Sequence, residues 1–425
     1  MRSLLFSFLF LITVSVSAQR TIIYCGQLID VKSLQELNEM TIITDGNKII
    51  DVVKGYATAA KTDKVIDLKN KTVMPGLMDM HVHLEEETNP NQYLQAFTMN
   101  PADYAFQSAV FAERTLMAGF TTVRDLGGSG VNISLRNAVN KGLVKGPRIY
   151  TAGKAIATTG GHADPTDGYR EDLMGDPGPK DGVANGPDEC RKAVRQRYKD
   201  GSDWIKITAT GGVLSVATNG SGAQFTDEEL KAIISTAKDY GFKVAAHAHG
   251  AEGMKRAIKA GVTSIEHGTF MDDEAISLFK QYGTWYVPTI IAGKSVADSA
   301  KIPGYYPAVI VPKAIETGSK IQATFAKAYK AGVKVAFGTD AGVYAHGKNW
   351  KEFIYMTEAG MPILEAIKSA TVNASELLGV TDQLGSIEKG KLADIIAVDG
   401  DPVKDVQSMG RVKFVMKNGV VYKNE

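Results

Sequence analysis

The sequence predicts an α/β fold: a (β/α)8 TIM barrel joined to a small β-domain built from both chain ends. Three observations lead there. Short apolar strands alternate with helical stretches through the middle of the chain, β-rich segments occupy both ends, and the histidines fall at strand ends. The chain has 425 residues, 44% of them hydrophobic, enough for one large domain or two to three smaller ones. A formal net charge of +1 gives no electrostatic case for nucleic acid as a partner.

Residues 1–18 read as a signal peptide. Arg2 precedes the apolar run "LLFSFLFLITVSV", and Val16-Ser17-Ala18 forms a small-residue cleavage site. The run is short for a membrane span, and no later segment is long enough. Cleavage after Ala18 implies an exported chain, periplasmic or secreted; an uncleaved N-terminal anchor is the alternative. Residues 19–74 hold alternating segments such as "TIIYCGQLIDV" and "MTIITDGNKIIDVV", which read as antiparallel strands. Residues 381–425 mirror them with "ADIIAVDGD" and "RVKFVMKNGVVYK", where "KNG" signals a hairpin. The two ends are expected to meet in one β-domain.

Residues 75–380 carry eight candidate strands: "TVMPGLMDMHVHL", "FTTVRDLGG", "PRIYTAG", "WIKITATGG", "KVAAHAH", "TSIEHGTF", "WYVPTI" and "KVAFGTDAG". Helical stretches separate them. "ADYAFQSAVFAERTLMAG" is one. "DEELKAIISTAKDYG" is another, with a capping box from Thr226 to Glu229 and a stop at Gly241. "GAEGMKRAIKAG" and "MPILEAIKSAT" show the same spacing, the latter with Pro362 near its first turn. An open doubly wound sheet is the alternative, but no GxGxxG follows the first strand. The Gly-, Pro- and Asp-rich "GHADPTDGYREDLMGDPGPKDGVANGPDE" reads as a long functional loop after the third strand.

The chain has seven histidines, and each lies at or just past the end of a proposed strand. His81 and His83 end the first, two residues apart, so both rings point one way. His162 follows the third, His247 and His249 end the fifth, and His267 ends the sixth. His346 follows the eighth, which also ends in Asp340. In a (β/α)8 barrel those ends converge on one face. A lone histidine is more often a structural residue; concerted placement points to a metal centre. Imidazole and carboxylate donors suit zinc, manganese or iron, with zinc the expectation. His81, His83 and Asp340 can share one ion, and His247 and His267 a second. Two cations need a bridging anion. Lys206 lies inside the apolar strand "DWIKIT", where burial favours its neutral amine. A neutral amine can take up carbon dioxide and become an anionic carbamate; a lysine in an ion pair is the alternative.

The set "DMHVHL", "TTVRDLGG", "WIKITATGG", "AAHAHGAEGMKRAIKAGVTSIEHGTF", "GTDAG" and "LGSIEKGKLADIIAVDGDP" resembles the amidohydrolase superfamily. The likeness is greatest to the imidazolonepropionase-related branch that includes prolidase-like dipeptidases and carboxypeptidase-type amidases. The resemblance implies a barrel flanked by a β-sandwich from both ends. It assigns His81, His83 and Asp340 to one metal, His247 and His267 to the other, and the Lys206 carbamate to the bridge. "TTGGHAD" resembles a family loop, which places His162 near the scissile carbonyl or the substrate carboxylate. His249 then faces substrate or supports the ligands.

The expected reaction is hydrolysis of an amide in dipeptides or N-acyl amino acids, proline among the released residues. Asp340 would move the proton from water to the leaving nitrogen, and His162 would stabilise the oxyanion. Tyr344 and His346, in the loop after Asp340, are further candidates for substrate contact. Arg124 and Asp125 read as a bracing salt bridge, Trp204, Trp285 and Trp350 as packing, and "EEET" after His83 as a solvated loop. Lactonase, phosphotriesterase or deaminase chemistry on the same scaffold is the first rival. A deaminase needs a glutamate soon after the fifth-strand histidine, and Glu252 is the available one. A non-catalytic exported binding protein is the second rival. Cys25 and Cys190 are the only cysteines, too few for a disulfide framework; ordinary buried thiols are expected, with a single pairing as the alternative. The oligomeric state, a homo-oligomer included, is open.

Overall fold

A computed structural model describes residues 20–425; the signal segment expected at 1–18 lies outside the described residues. The N-terminal part forms β1 (Thr21–Asp30), β2 (Gln35–Asp45), β3 (Lys48–Lys54) and β4 (Lys64–Pro75). The middle supplies β5 (Leu77–Val82), β6 (Phe120–Asp125), β7 (Arg148–Thr151), β8 (Ile205–Thr208), β9 (Val244–Gly250), β10 (Ser264–Phe270) and β11 (Trp285–Val287), with helices between most of them. The C-terminal part adds β12 (Ile395–Val398), β13 (Val412–Lys417) and β14 (Val420–Asn424).

The chain ends do meet, in one hydrogen-bonded sheet of order β14-β13-β12-β4-β1-β2-β3. Two details differ from expectation. The strands form a single continuous sheet, and β1 pairs with β4 in parallel. The reason is the connection: the β2–β3 hairpin turns the chain back twice before β4 re-enters beside β1. Period-two alternation puts Ile23, Cys25, Leu68, Ile395 and Phe414 into one apolar cluster on this sheet. The expected hairpin is present: Asn418 and Gly419 both have positive φ between β13 and β14, as a two-residue turn requires. The predicted strand "TVMPGLMDMHVHL" breaks at Gly76, ending β4 and starting β5. A Cβ at Gly76 would lie 2.2 Å from the Thr121 hydroxyl, so only glycine lets the strands approach there.

The middle of the chain forms two parallel sheets, β5-β6-β7 and β11-β10-β9-β8. Single parallel bridges join their margins: Ile156 with Ile207, Tyr286 with Val335, and Val82 with Ala341. The proposed eighth strand is reduced to these contacts, with Met80 N–H donating to the Phe337 carbonyl and Ala336 N–H to Tyr286. Helices cover the outside, and their apolar sides fill one large cluster with the strands. The helix Asp227–Asp239 carries its Thr226–Glu229 capping box, and Gly241 follows in the left-handed region. Cys190 belongs to this cluster and Cys25 to the terminal one, so both thiols are free and buried. No described helix is long and apolar enough to cross a membrane.

Candidate metal centre

Every strand of the two parallel sheets runs the same way, so their C-terminal ends open on a common face. His81 sits at the end of β5, Lys206 in β8, His247 in β9 and His267 in β10; Asp340 follows the eighth segment. All five are buried, from His81 at 0% exposure to Asp340 at 8%. Asp340 Oδ1 lies 3.2 Å from His83 Nε2 and 3.4 Å from His81 Nε2. Lys206 Nζ lies 3.4 Å from His81 Nε2. Ring centroids are 5.0 Å apart for His81–His267 and 4.7 Å for His247–His267. The structure thus brings together all six residues expected to hold metal. One donor atom each from His81, His267 and Asp340 falls within 4.8 Å of the others. That triangle draws on both halves of the expected ligand set, so the halves are adjacent.

His267 and Asp340 have φ of 71° and 59°, in the left-handed region that L-residues avoid. Such backbone costs about 1–3 kcal/mol and persists where surroundings enforce it. Here Asp340 N–H donates to the His81 carbonyl at 2.7 Å, and Tyr286 Oη–H donates to the His267 carbonyl at 3.0 Å.

A histidine that binds metal needs its other ring nitrogen oriented. The sequence did not name those partners; the structure does. His83 Nδ1 donates to the Gly127 carbonyl at 2.9 Å, and His247 Nε2 to the Gly211 carbonyl at 3.1 Å. A carbonyl only accepts, so the proton sits on that nitrogen and the opposite one is left to bind. His267 Nδ1 pairs with the Thr289 hydroxyl at 2.7 Å, and His249 Nδ1 with Thr269 at 2.8 Å. His81 Nδ1 meets Glu266 Oε2 at 3.0 Å. Glu266 is held in turn by Arg124 at 2.9 Å and Ser264 at 2.5 Å. Arg124 also donates to the Met80 carbonyl and stacks over Trp204. Burial pushes His81, His247 and His267 well below the ordinary histidine range, which keeps them neutral as metal ligation requires. Burial opposes charge on His83 too, but Asp340 outweighs it and raises the ring to about 9.

Glu266 was missed because a carboxylate two residues into a buried strand gives no sign of its partner. The Glu266→Gln variant leaves a buried guanidinium without its counter-charge. The expected loss is about 3–5 kcal/mol of stability and about 10- to 100-fold in metal affinity. Denaturant unfolding and metal titration check it; wild-type values for both would refute the role.

The structure corrects four other expectations. Arg124 does not pair with Asp125, because adjacent strand residues point to opposite faces. Asp125 instead accepts from Leu84 N–H at 2.9 Å and from Asn132 at 2.8 Å. Tyr344 packs in the main apolar cluster and does not line the cavity. His346 does not line it either; its ring stacks on Phe111 at 4.9 Å and its Nε2 donates to the Glu86 carbonyl at 3.2 Å. Gly342, at φ 118°, turns the chain behind the loop after His83, which carries both residues away from the site. "EEET" is not one solvated run: Glu85 is 2% exposed and accepts from the backbone N–H of Ser129 and Asn132.

A cavity of about 890 Å³ opens over the cluster. His162 and His249 line it with the expected metal residues, as does the loop at 163–181 through Asp164, Tyr169, Met174 and Asp181. The His162 ring lies 4.3 Å from that of His247, and its buried Nδ1 has no hydrogen-bond partner. Burial pushes His162 down to about 3 and His249 to about 4, so both are neutral. Gly212 makes the room: a Cβ there would meet the His162 ring at 2.2 Å.

The comparisons with known proteins agree with this geometry. The model of the amidohydrolase family matches residues 72–422. An ochratoxinase from Aspergillus niger is 34% identical over 437 aligned residues, spanning 96% of this chain and 87% of the relative. A solved Xaa-Pro dipeptidase with methionine bound in its active site is 55% identical, with a TM-score of 0.93, over 96% of this chain and 100% of that one. A solved prolidase complexed with N-methylphosphonate-L-proline is 32% identical, with a TM-score of 0.87 and the same coverage. By the span and level of these matches, the chain belongs to the amidohydrolase family and is a hydrolase.

Proposed function

We propose that this chain is an exported, binuclear metal-dependent amidohydrolase that cleaves dipeptides or N-acyl amino acids, with Xaa-Pro dipeptides the leading class. The observation that carries it is the convergence of His81, His83, Lys206, His247, His267 and Asp340 beneath one cavity, most with the second ring nitrogen already tied. The two parallel sheets and the bridges between their margins are read as one closed (β/α)8 barrel. The names of the similar dipeptidase and prolidase structures support the substrate class.

The donor set fits two divalent cations, zinc by preference: four imidazoles, a carboxylate and a buried amine, with no thiolate among them. Such ions supply Lewis acidity and lower the pKa of water toward neutrality. His81, His83 and Asp340 would hold one, His247 and His267 the other, with the Lys206 carbamate between them. The chain's own groups do the rest. Asp340 accepts the proton of the attacking water and returns it to the leaving nitrogen. Neutral His162, on the cavity lining, donates a ring N–H to the developing oxyanion. His249 faces the same space and orients substrate.

One observation weakens the deaminase reading. Glu252 pairs with Arg256 at 2.8 Å on an exposed helix and does not reach the cavity. Elemental analysis of protein purified with bicarbonate, beside a screen of Xaa-Pro and other dipeptides, tests the proposal. About two ions per chain with dipeptide cleavage is the expected result. One ion and no amide cleavage would turn attention to lactones and deaminase substrates, and no bound metal would favour a binding protein. The mass of the mature chain from the same preparation reports whether cleavage falls after Ala18.

A further inference from the structure

Three consecutive glutamates follow the second strand-end histidine, and they part company. Glu85 turns to the N-terminus of the helix Val131–Asn140, accepting from Ser129 and Asn132 N–H at 2.7 Å each. Glu87 accepts from His346 N–H at 2.7 Å and approaches Arg114. Glu86 between them is fixed through its backbone, whose carbonyl takes the His346 Nε2 proton. Its side chain alone faces the cavity, on the wall shared with His83. Its carboxylate has neither an ion-pair nor a hydrogen-bond partner among the described residues. It is exposed to the cavity. Partial desolvation there raises it from the ordinary carboxylate range, and the pull of His83 does not offset this. A carboxylate that faces the cavity without a protein partner is free to pair with a cationic group of a ligand held there.

We infer that Glu86 is the anchor for the free α-ammonium group of the substrate, so that the enzyme is built for unblocked dipeptides and against N-acyl amino acids. The inference rests on the amide-hydrolase reading above and narrows its substrate class. Its chemistry follows from connectivity. In a dipeptide the α-nitrogen sits on the carbon next to the scissile carbonyl, so a carbonyl at the metal centre places the ammonium close by. Glu86 lines the same cavity as His83 and Asp340. An N-acyl substrate would instead set an apolar chain against an unpaired carboxylate. The lining loop has the same sign, with Asp164, Asp167 and Asp181. Lys154, also on the lining, is paired at 3.4 Å with Asp181.

The experiment compares alanyl-proline with propanoyl-proline, which differs only in lacking the amino group. Wild-type protein should prefer alanyl-proline in kcat/KM. In Glu86→Gln that preference should fall about 10- to 100-fold, chiefly through KM, as expected for a lost charge-assisted hydrogen bond. Calorimetry supplies a readout independent of turnover, using L-methionine and 4-(methylthio)butanoate as the matched pair. The variant should lose affinity for L-methionine by a similar factor and leave the ratio between the pair near one. An unchanged preference in both assays, or equal losses for both members of each pair, would overturn the Glu86 assignment. Ammonium selectivity in binding, with neither proline compound cleaved, would uphold the subsite and overturn the peptidase reading instead.

Discussion

Asp340→Asn is expected to lower kcat on an Xaa-Pro dipeptide by about 10²- to 10⁴-fold, the range for loss of a positioned acid–base group, with far less effect on bound metal. The substitution is chosen for what it leaves intact. Asn tolerates the left-handed backbone that Asp340 adopts at φ 59°, so the turn that aims the side chain survives. Its amide oxygen can take the place of the carboxylate oxygen that lies 3.2 Å from His83 Nε2, so a metal held between the two keeps an oxygen donor there. What it cannot do is carry a proton from water to the leaving nitrogen. Burial alone would raise the Asp340 carboxyl, but His81, His83 and Lys206 outweigh it and hold the group below the ordinary range. The wild-type residue is therefore ionised at neutral pH and ready to accept. Steady-state rates beside elemental analysis give the answer. Wild-type turnover in the variant would remove Asp340 from proton transfer, and loss of both metal and rate together would make it a ligand only.

The cluster was legible in the sequence because its residues obey a simple rule: parallel strands that run the same way deliver residues near their C-terminal ends to one face. His81, His83, Lys206, His247, His267 and Asp340 follow that rule, and each lies where it predicts. Residues beyond the strand ends follow loop geometry, which the sequence does not encode locally. Tyr344 and His346 are four and six positions past Asp340, and one glycine turn carries them behind the neighbouring loop. Partners were harder still. Arg124 was matched with Asp125 by adjacency, whereas alternation along β6 sends it across to Glu266, far away in the chain. Glu266, Gly127, Gly211 and Thr289 orient the histidines through a carboxylate, two carbonyls and a hydroxyl. Carbonyls leave no trace in residue identity. The glutamate run misled for a related reason: composition suggested one exposed loop, and three side chains found three surroundings. At the chain ends the sequence showed strands and a hairpin. It could not show that β4 would dock parallel to β1, since that depends on the path through the β2–β3 hairpin.

Lys206→Ala is expected to abolish most metal binding and with it nearly all activity, because the residue is asked to supply the anion between two cations. Its surroundings make an ordinary ion pair a poor account of it. It is 4% exposed in β8, and its Nζ meets His81 Nε2 at 3.4 Å, with no carboxylate at pairing distance among the described residues. Burial, the largest influence, pushes its pKa down to about 8 against the upward pull of Glu266 and Asp340. The sign matters for the carbamate. Only the neutral amine attacks carbon dioxide, forming the N–C bond as it sheds a proton, and the neutral fraction falls about tenfold for each pH unit below the pKa. At equal dissolved carbon dioxide, metal-stripped protein should therefore regain activity with metal readily at pH 8 and much more slowly at pH 6. Lys206→Met keeps the volume of the side-chain stem without the amine, so it separates loss of the bridge from a packing defect. Both variants should fold and fail to load metal, and bicarbonate should rescue neither. Full metal loading and activity in either one would show that the two ions, if present, are joined by something other than Lys206.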